Sequence, residues 1–186
     1  YVLCDCTGYR LDGTDTEPNM YVGIIINRSL ADTTDSVTGL GDVHALVNAI
    51  GEMRRVAREA GFIAIKVDDI AEVNARFGFD AGDRVLAESA ACLMDCSRGK
   101  GRLFRSTGPM FVALFDELGP EAIDELANEI ERFLGSPVLI GSLEYQPPIR
   151  VATLHLDAVN RQPVSILNEL KALLGKAVQV PGTKLD

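Results

Sequence analysis

Between Lys66 and Asp83 the chain reads Lys66-Val67-Asp68-Asp69-Ile70-Ala71-Glu72-Val73-Asn74-Ala75-Arg76-Phe77-Gly78-Phe79-Asp80-Ala81-Gly82-Asp83. The groups able to do chemistry here are an ammonium, several carboxylates and a carboxamide. Lys66 and Asp68 stand two apart at the end of an apolar run, so on a strand they share a face and can pair as a salt bridge. Asn74 and Asp83 carry hydrogen-bonding side chains with a structural reading: Asp83 caps a helix starting at Arg84, and Asn74 ends a short helix. Four cysteines form two pairs, Cys4 with Cys6 on one face of a strand and Cys92 with Cys96 one helical turn apart. Each pair is either half a metal site or small apolar packing in a reducing compartment. His44 and His155 are the only histidines, too few and too scattered to complete a zinc set.

The elements that must position these groups follow from composition and periodicity. At 186 residues the chain is one domain, with room for a small appendage. Its 47% hydrophobic content is enough for a sizeable core and too much for disorder. The net charge is −9, and no cluster of five basic residues occurs. Such a surface repels a nucleic-acid backbone, which argues against DNA or RNA as a partner. A single nucleotide is not excluded, because pocket chemistry is local. No apolar run approaches the ~18 residues of a membrane span, and no signal peptide is visible. A cytoplasmic domain without membrane contact is expected. The chain begins at Tyr1, in what reads as mid-strand, and is expected to be a fragment of a larger protein.

Residues 1–28 read as a β-hairpin, with strand character to Arg10, a polar Asp/Gly/Thr turn over 11–19, and Ile24-Ile25-Ile26 in the returning strand. Residues 29–34 would be a linker. From Asp35 onward helical and extended patterns alternate. Val43, Leu46, Val47, Ile50, Met53 and Ala57 predict a helix over 43–60. Residues 62–67 predict a strand buried on both faces. Helices are predicted over 82–95, over 120–134 with Pro120 at its first position, and from Pro163 to a stop at Gly175. Strands are predicted at 103–105 and 111–115 around the turn Thr107-Gly108-Pro109, at 149–156, and as an edge at 177–180. The order fits an α+β sandwich with a mostly antiparallel sheet.

Several spaced segments together resemble the GGDEF family, the diguanylate cyclase domains of bacterial c-di-GMP signalling. Asp35-Ser36-Val37-Thr38-Gly39-Leu40 is close to the family's D-x-L-T-G-L. The Lys66–Asp83 segment is similar to D-x-D-x-F-K-x-I-N-D-x-Y-G-H-x-x-G-D, with Asn74, Phe77, Gly78, Gly82 and Asp83 in register. Arg105-Ser106-Thr107-Gly108-Pro109-Met110-Phe111 sits where the family has R-x-G-G-D/E-E-F. The resemblance implies a five-stranded central sheet flanked by helices, like the palm of nucleotide cyclases, over residues 35–180, with 181–186 as a tail. It is weaker for the hairpin, which looks like the closing strands of a PAS-type sensory domain.

The resemblance also implies roles, and this chain departs from several. In the family the Asn and final Asp hydrogen-bond guanine, and both survive as Asn74 and Asp83. A carboxylate can accept from guanine N1–H and N2–H2, and an amide NH2 can meet its acceptors. The family joins two GTP molecules with divalent-metal help. The first metal-binding Asp is Lys66 here, and the acidic pair of the signature turn is Pro109 and Met110. Magnesium prefers hard oxygen ligands. Exchanging a carboxylate for an ammonium at ~4 Å turns an attraction of about 4 kcal/mol into a repulsion of that order. Asp42-Val43 replaces an Asn-Arg pair. In the tail Lys171 and Lys176 lie near a phosphate-contacting Lys whose own position is Val178. At the family's inhibitory R-x-x-D site, Arg98 remains and Gly101 replaces the Asp.

The expectation is therefore a non-catalytic domain without a metal cofactor. One form of it binds GTP through Asn74 and Asp83, with Lys66 and the backbone N–H groups of Asp69 and Ile70 taking the phosphates, and reports to neighbouring domains of the same protein. A second is a ligand-free interaction or homodimerisation module. A third is residual cyclase chemistry through Asp68 or Asp69.

Overall fold

Asp35 begins the main unit by folding onto itself. Its carboxylate accepts from the Thr38 N–H (2.9 Å) and hydroxyl (2.7 Å), while Gly39 takes φ +72°, a left-handed turn that lets Leu40 enter the core. Asp42 then caps the first helix, accepting from the N–H groups of His44 and Ala45. The computed structural model describes residues 4–11, 20–27, 33–56, 59–97, 99–134, 136–157 and 161–183.

The chain divides into two units, 1–33 and 34–186. In the first, β1 (Cys4–Leu11) and β2 (Met20–Asn27) pair antiparallel, with Cys4 opposite Asn27 and Leu11 opposite Met20. The second unit runs α1 (Val43–Val56), β3 (Glu59–Val67), α2 (Ile70–Phe77), α3 (Phe79–Ser97), β4 (Arg102–Arg105), β5 (Met110–Asp116), α4 (Pro120–Leu134), β6 (Val138–Ile140), β7 (Leu143–Tyr145), β8 (Ile149–Asp157) and α5 (Pro163–Lys176).

The central sheet has the order β4-β5-β3-β8, antiparallel throughout. Among the described residues it has four full strands. The position of the fifth expected strand holds a single antiparallel bridge, Val180 to Ile149 on the outer edge of β8. Strand β3 is buried on both faces, as its unbroken apolar run requires. One face (Ile63, Ile65, Phe111, Phe115) packs under α2, α3 and α4. The other (Phe62, Ala64, Val112, Leu114) packs under α1 and α5 through Leu46, Ile50, Ile166 and Leu170. Burying a side chain of that size stabilises by about 1.5–3 kcal/mol, so the two clusters fix the sheet between its helix layers.

Element boundaries differ from expectation where tertiary pairing takes over. Ala60, placed in the first helix from periodicity, belongs to β3, because Asp116 and Leu156 claim it from both sides. Helix α3 begins at Phe79, not Gly82. Asp83 therefore lies inside it and caps nothing, which corrects the capping reading. Helix α5 runs one residue past Gly175, closing with Ala177 N–H on the Leu173 carbonyl. The β6–β7 hairpin was not expected, although its Gly141-Ser142 turn, with Gly141 at φ +63°, carries a recognisable signal. Arg98, expected as an inhibitory-site remnant, and residues 184–186 of the tail lie outside the described residues.

Candidate functional site

Strand β3 carries Lys66 at its end, where sheet register sets it opposite Met110 of β5 and Arg150 of β8. Two cations directly across a ladder repel. Asp68 relieves this from the loop that follows. Its Oδ1 lies 2.5 Å from Lys66 Nζ, and its Oδ2 accepts from Arg150 Nε and Gln179 Nε2, both at 2.8 Å. Burial alone would raise the Asp68 pKa, but these three donors and the Lys66 charge hold it below the ordinary carboxylate value. Arg150 also donates to the Ala177 carbonyl at 3.3 Å, tying the segment after α5 to the same cluster.

The signature turn closes over this end of the sheet. Ser106 N–H donates to the Met110 carbonyl, Met110 N–H to Thr107, and Val67 N–H to Pro109. Arg105 secures it from outside, with Nε on the Gly108 carbonyl at 2.9 Å and Nη1 on both Asp35 oxygens at 3.0 and 3.2 Å. The Asp35 turn and the signature turn are thereby bolted together. Asp35 also titrates low, since the Thr38 and Arg105 donors outweigh its burial. Thr107 and Gly108 are exposed, whereas Met110 and Phe111 are 5% and 1% exposed and point into the two opposite core clusters. At the position of the second acid, the chain has a core side chain.

These donors do not suit a divalent cation. Both Asp68 oxygens face cations and an amide, and Lys66, Pro109 and Met110 offer no anionic oxygen. Among the described residues no group of three or more His, Cys, Asp or Glu side chains is placed to hold a metal.

The surviving pair of the second motif lies on the helical hairpin α2–α3. Asp69 opens α2 at φ +62° without side-chain capping, and its carbonyl accepts from Glu72 and Val73. Asn74 is half-buried, and its Oδ1 is buried without a hydrogen-bond partner among the described residues. That oxygen is turned against Gly82, where any Cβ would collide with it, while the amide nitrogen is the farther atom. Asp83, the next residue, is exposed and forms no salt bridge among the described residues. Ser106 Oγ in the signature turn and Tyr145 Oη are also buried without hydrogen-bond partners among the described residues. Burial, with Asp69 and Glu72 nearby, pushes the Tyr145 hydroxyl up to about 12.

A cavity of about 470 Å3 opens beside the signature turn, lined by Lys66, Thr107, Pro109, Arg150, Lys171 and Leu174 among others. Asn74, Asp83, Asp69 and Ile70 are not among its lining residues. The structure thus joins Lys66 to the signature turn and leaves Asn74 and Asp83 as a separate group on α2–α3. Sequence reasoning missed Arg150 and Gln179. An Arg between Ile149 and Val151 at the start of a predicted strand was a signal for the first, and nothing local marks the second. Another cavity, about 380 Å3 between α3 and α4, contains Cys92 and Cys96 and none of the motif residues.

The model of the diguanylate cyclase GGDEF-domain family matches residues 32–173. Taken with the palm-like sheet and spaced motifs, this places the chain in the GGDEF family, and the unit is a GGDEF domain of the kind found in c-di-GMP signalling proteins. Among curated relatives, the cyclic di-GMP phosphodiesterase PdeR of Escherichia coli K12 is 29% identical over 113 residues, covering 60% of this chain and 17% of PdeR. The diguanylate cyclase DgcS of Shewanella oneidensis is 29% identical over 84 residues, covering 43% of this chain and 28% of DgcS. The chain therefore spans less than a third of the length of these relatives. Among solved structures, the FimX GGDEF domain of Pseudomonas aeruginosa superposes with TM-score 0.73 at 16% identity, over 79% of this chain and 94% of that one. The P. aeruginosa diguanylate cyclase SiaD, solved with its activator SiaC, gives TM-score 0.73 at 20% identity, over 78% of this chain and 58% of that one. These two likenesses concern the fold. No helix among the described residues is long and apolar enough to cross a membrane.

Proposed function

We propose that this unit is a non-catalytic GGDEF domain that binds GTP without metal and acts as a regulatory module in a cytoplasmic c-di-GMP signalling protein. The observation that carries the reading is Asn74. An unpartnered buried polar atom costs about 1–3 kcal/mol, and among the described residues no hydrogen bond offsets it. A residue kept at that cost suits a ligand. With Oδ1 turned to Gly82, the amide N–H2 is the group left to meet guanine acceptors, and exposed Asp83 is free to accept from N1–H and N2–H2. Lys66, 44% exposed at its side chain, supplies positive charge where the family has a metal ligand. The N–H groups at Asp69 and Ile70 open helix α2 and can add to it. The β1–β2 hairpin, as the end of a PAS-type sensory domain, would be the input side.

Calorimetric titration of GTP with and without Mg2+ tests this. Metal-independent binding near micromolar, about −8 kcal/mol, that weakens with salt and is lost in Asn74→Ala supports it. A need for Mg2+, or production of c-di-GMP with Mg2+ or Mn2+, overturns it. One observation favours a second reading, a ligand-free interaction or homodimerisation module: Lys66 already has a counter-charge in Asp68. The absence of GTP binding up to millimolar concentration would select that reading.

A further inference from the structure

The register of the sheet concentrates positive charge in a way no motif anticipates. Lys66 and Arg150 are cross-strand partners, and Lys171 reaches the same cavity from α5. One carboxylate, Asp68, answers the first two, each of its oxygens taking one cation. Lys171 is exposed and has no carboxylate within salt-bridge distance among the described residues. Among the described residues, three cations against one carboxylate leave an excess of two positive charges around a cavity of about 470 Å3, on a chain whose net charge is −9. A concave site of one sign with low-dielectric walls focuses its field, and Pro109, Met110 and Leu174 supply such walls.

Donor geometry adds to the charge. Asp68 and the Ala177 carbonyl hold Arg150 through Nε and Nη1, which leaves Nη2 without a partner among the described residues. Lys66 spends one of its three N–H donors on Asp68. A guanidinium fixed in this way is pre-organised for oxyanions and loses little entropy on binding one. The volume exceeds what a single phosphate needs and suits a chain of them.

We propose that this cavity is a metal-independent polyphosphate site in which Arg150 and Lys171 hold phosphate oxygens beside Lys66. This deepens the GTP reading by seating its phosphates in the cavity with Lys66 rather than at the Asp69 and Ile70 N–H groups, which do not line it, and it rests on that reading only for the identity of the nucleotide.

The test uses inorganic tripolyphosphate as the probe, titrated calorimetrically into the full chain in EDTA, with GTP titrated in parallel. The wild type should bind tripolyphosphate, with affinity falling as salt rises. Arg150→Ala and Lys171→Ala should each weaken it about 10- to 100-fold, the range for a charge-assisted hydrogen bond. Arg150→Lys should recover part of the loss. Lys171 is exposed on α5, so its variant reads the site even if Arg150→Ala disturbs the fold. No tripolyphosphate binding at millimolar concentration, or unchanged affinity in Lys171→Ala, overturns the proposal. Tripolyphosphate binding without GTP binding would sink the guanine reading and leave the phosphate site standing. GTP binding that is indifferent to Arg150 and Lys171 would do the reverse.

Discussion

Replacing Gly82 with Ala separates local propensity from tertiary constraint. Within a helix, Ala is favoured over Gly by up to about 1 kcal/mol, so the local rule predicts stabilisation of α3. The structure predicts the opposite. Gly82 is buried, and a Cβ there would collide with Asn74 Oδ1, the atom already without a partner. Relieving the collision means moving the amide or parting α2 from α3, an overpacking cost of about 1–3 kcal/mol. The net effect of Gly82→Ala is then a loss of roughly 0–2 kcal/mol. In the Asn74→Ala background the obstacle is gone, and the same substitution should stabilise by up to about 1 kcal/mol. Urea unfolding of the wild type, both single variants and the double variant, followed by far-ultraviolet circular dichroism, gives the coupling directly. It should be about 1–3 kcal/mol, within the range for residues in contact. A coupling below about 0.5 kcal/mol, or a Gly82→Ala protein more stable than wild type, would refute the packing argument and weaken the case that Asn74 is held for a ligand.

Arg105→Ala should lower stability by about 1–3 kcal/mol, read by thermal melting, because it unbolts the signature turn from Asp35. Arg105→Lys should restore less than half, since an ammonium cannot reproduce the two-sided fork. Asp35 and Asp68 both titrate below the ordinary value of 3.8, so their contribution is complete above about that pH and is lost as pH falls through their lower folded values. Asp68→Asn should therefore destabilise at pH 7, by about 1–3 kcal/mol, and flatten the acid limb of a stability-versus-pH series. A limb as steep as wild type would show that other carboxylates govern it. Burial, with Cys96 and Asp95 nearby, pushes the Cys92 thiol up to about 12. It should react with Ellman's reagent at pH 8 orders of magnitude more slowly in the native state than after denaturation.

Periodicity and local chemistry made much of the fold legible. The 3.6-residue pattern and Pro120 mark α4, whose observed bounds are those expected, and the unbroken apolar run before Lys66 requires a strand buried on both faces. The turn at Thr107-Gly108-Pro109 follows from its residues, and the spaced motifs carried the family. Other features depend on partners distant in sequence. Nothing near Ala60 says that Asp116 and Leu156 will claim it for a strand, and nothing near Phe79 says that α3 will begin there.

The sequence by itself determined which groups exist at the site: an ammonium, a thioether and a pyrrolidine where the family has acids, and Asn74 and Asp83 retained. Tertiary structure decided what those groups face. Ladder register set Arg150 opposite Lys66 and drew Gln179, 111 residues from Asp68 along the chain, onto the same carboxylate. Packing of α2 against α3 buried Asn74 Oδ1 without a hydrogen-bond partner among the described residues, and the two sheet faces took Met110 and Phe111 into opposite cores. The reason is physical. Side-chain type and short-range periodicity are properties of neighbours in the chain, whereas burial, pairing and charge compensation belong to segments that meet only once the sheet has closed.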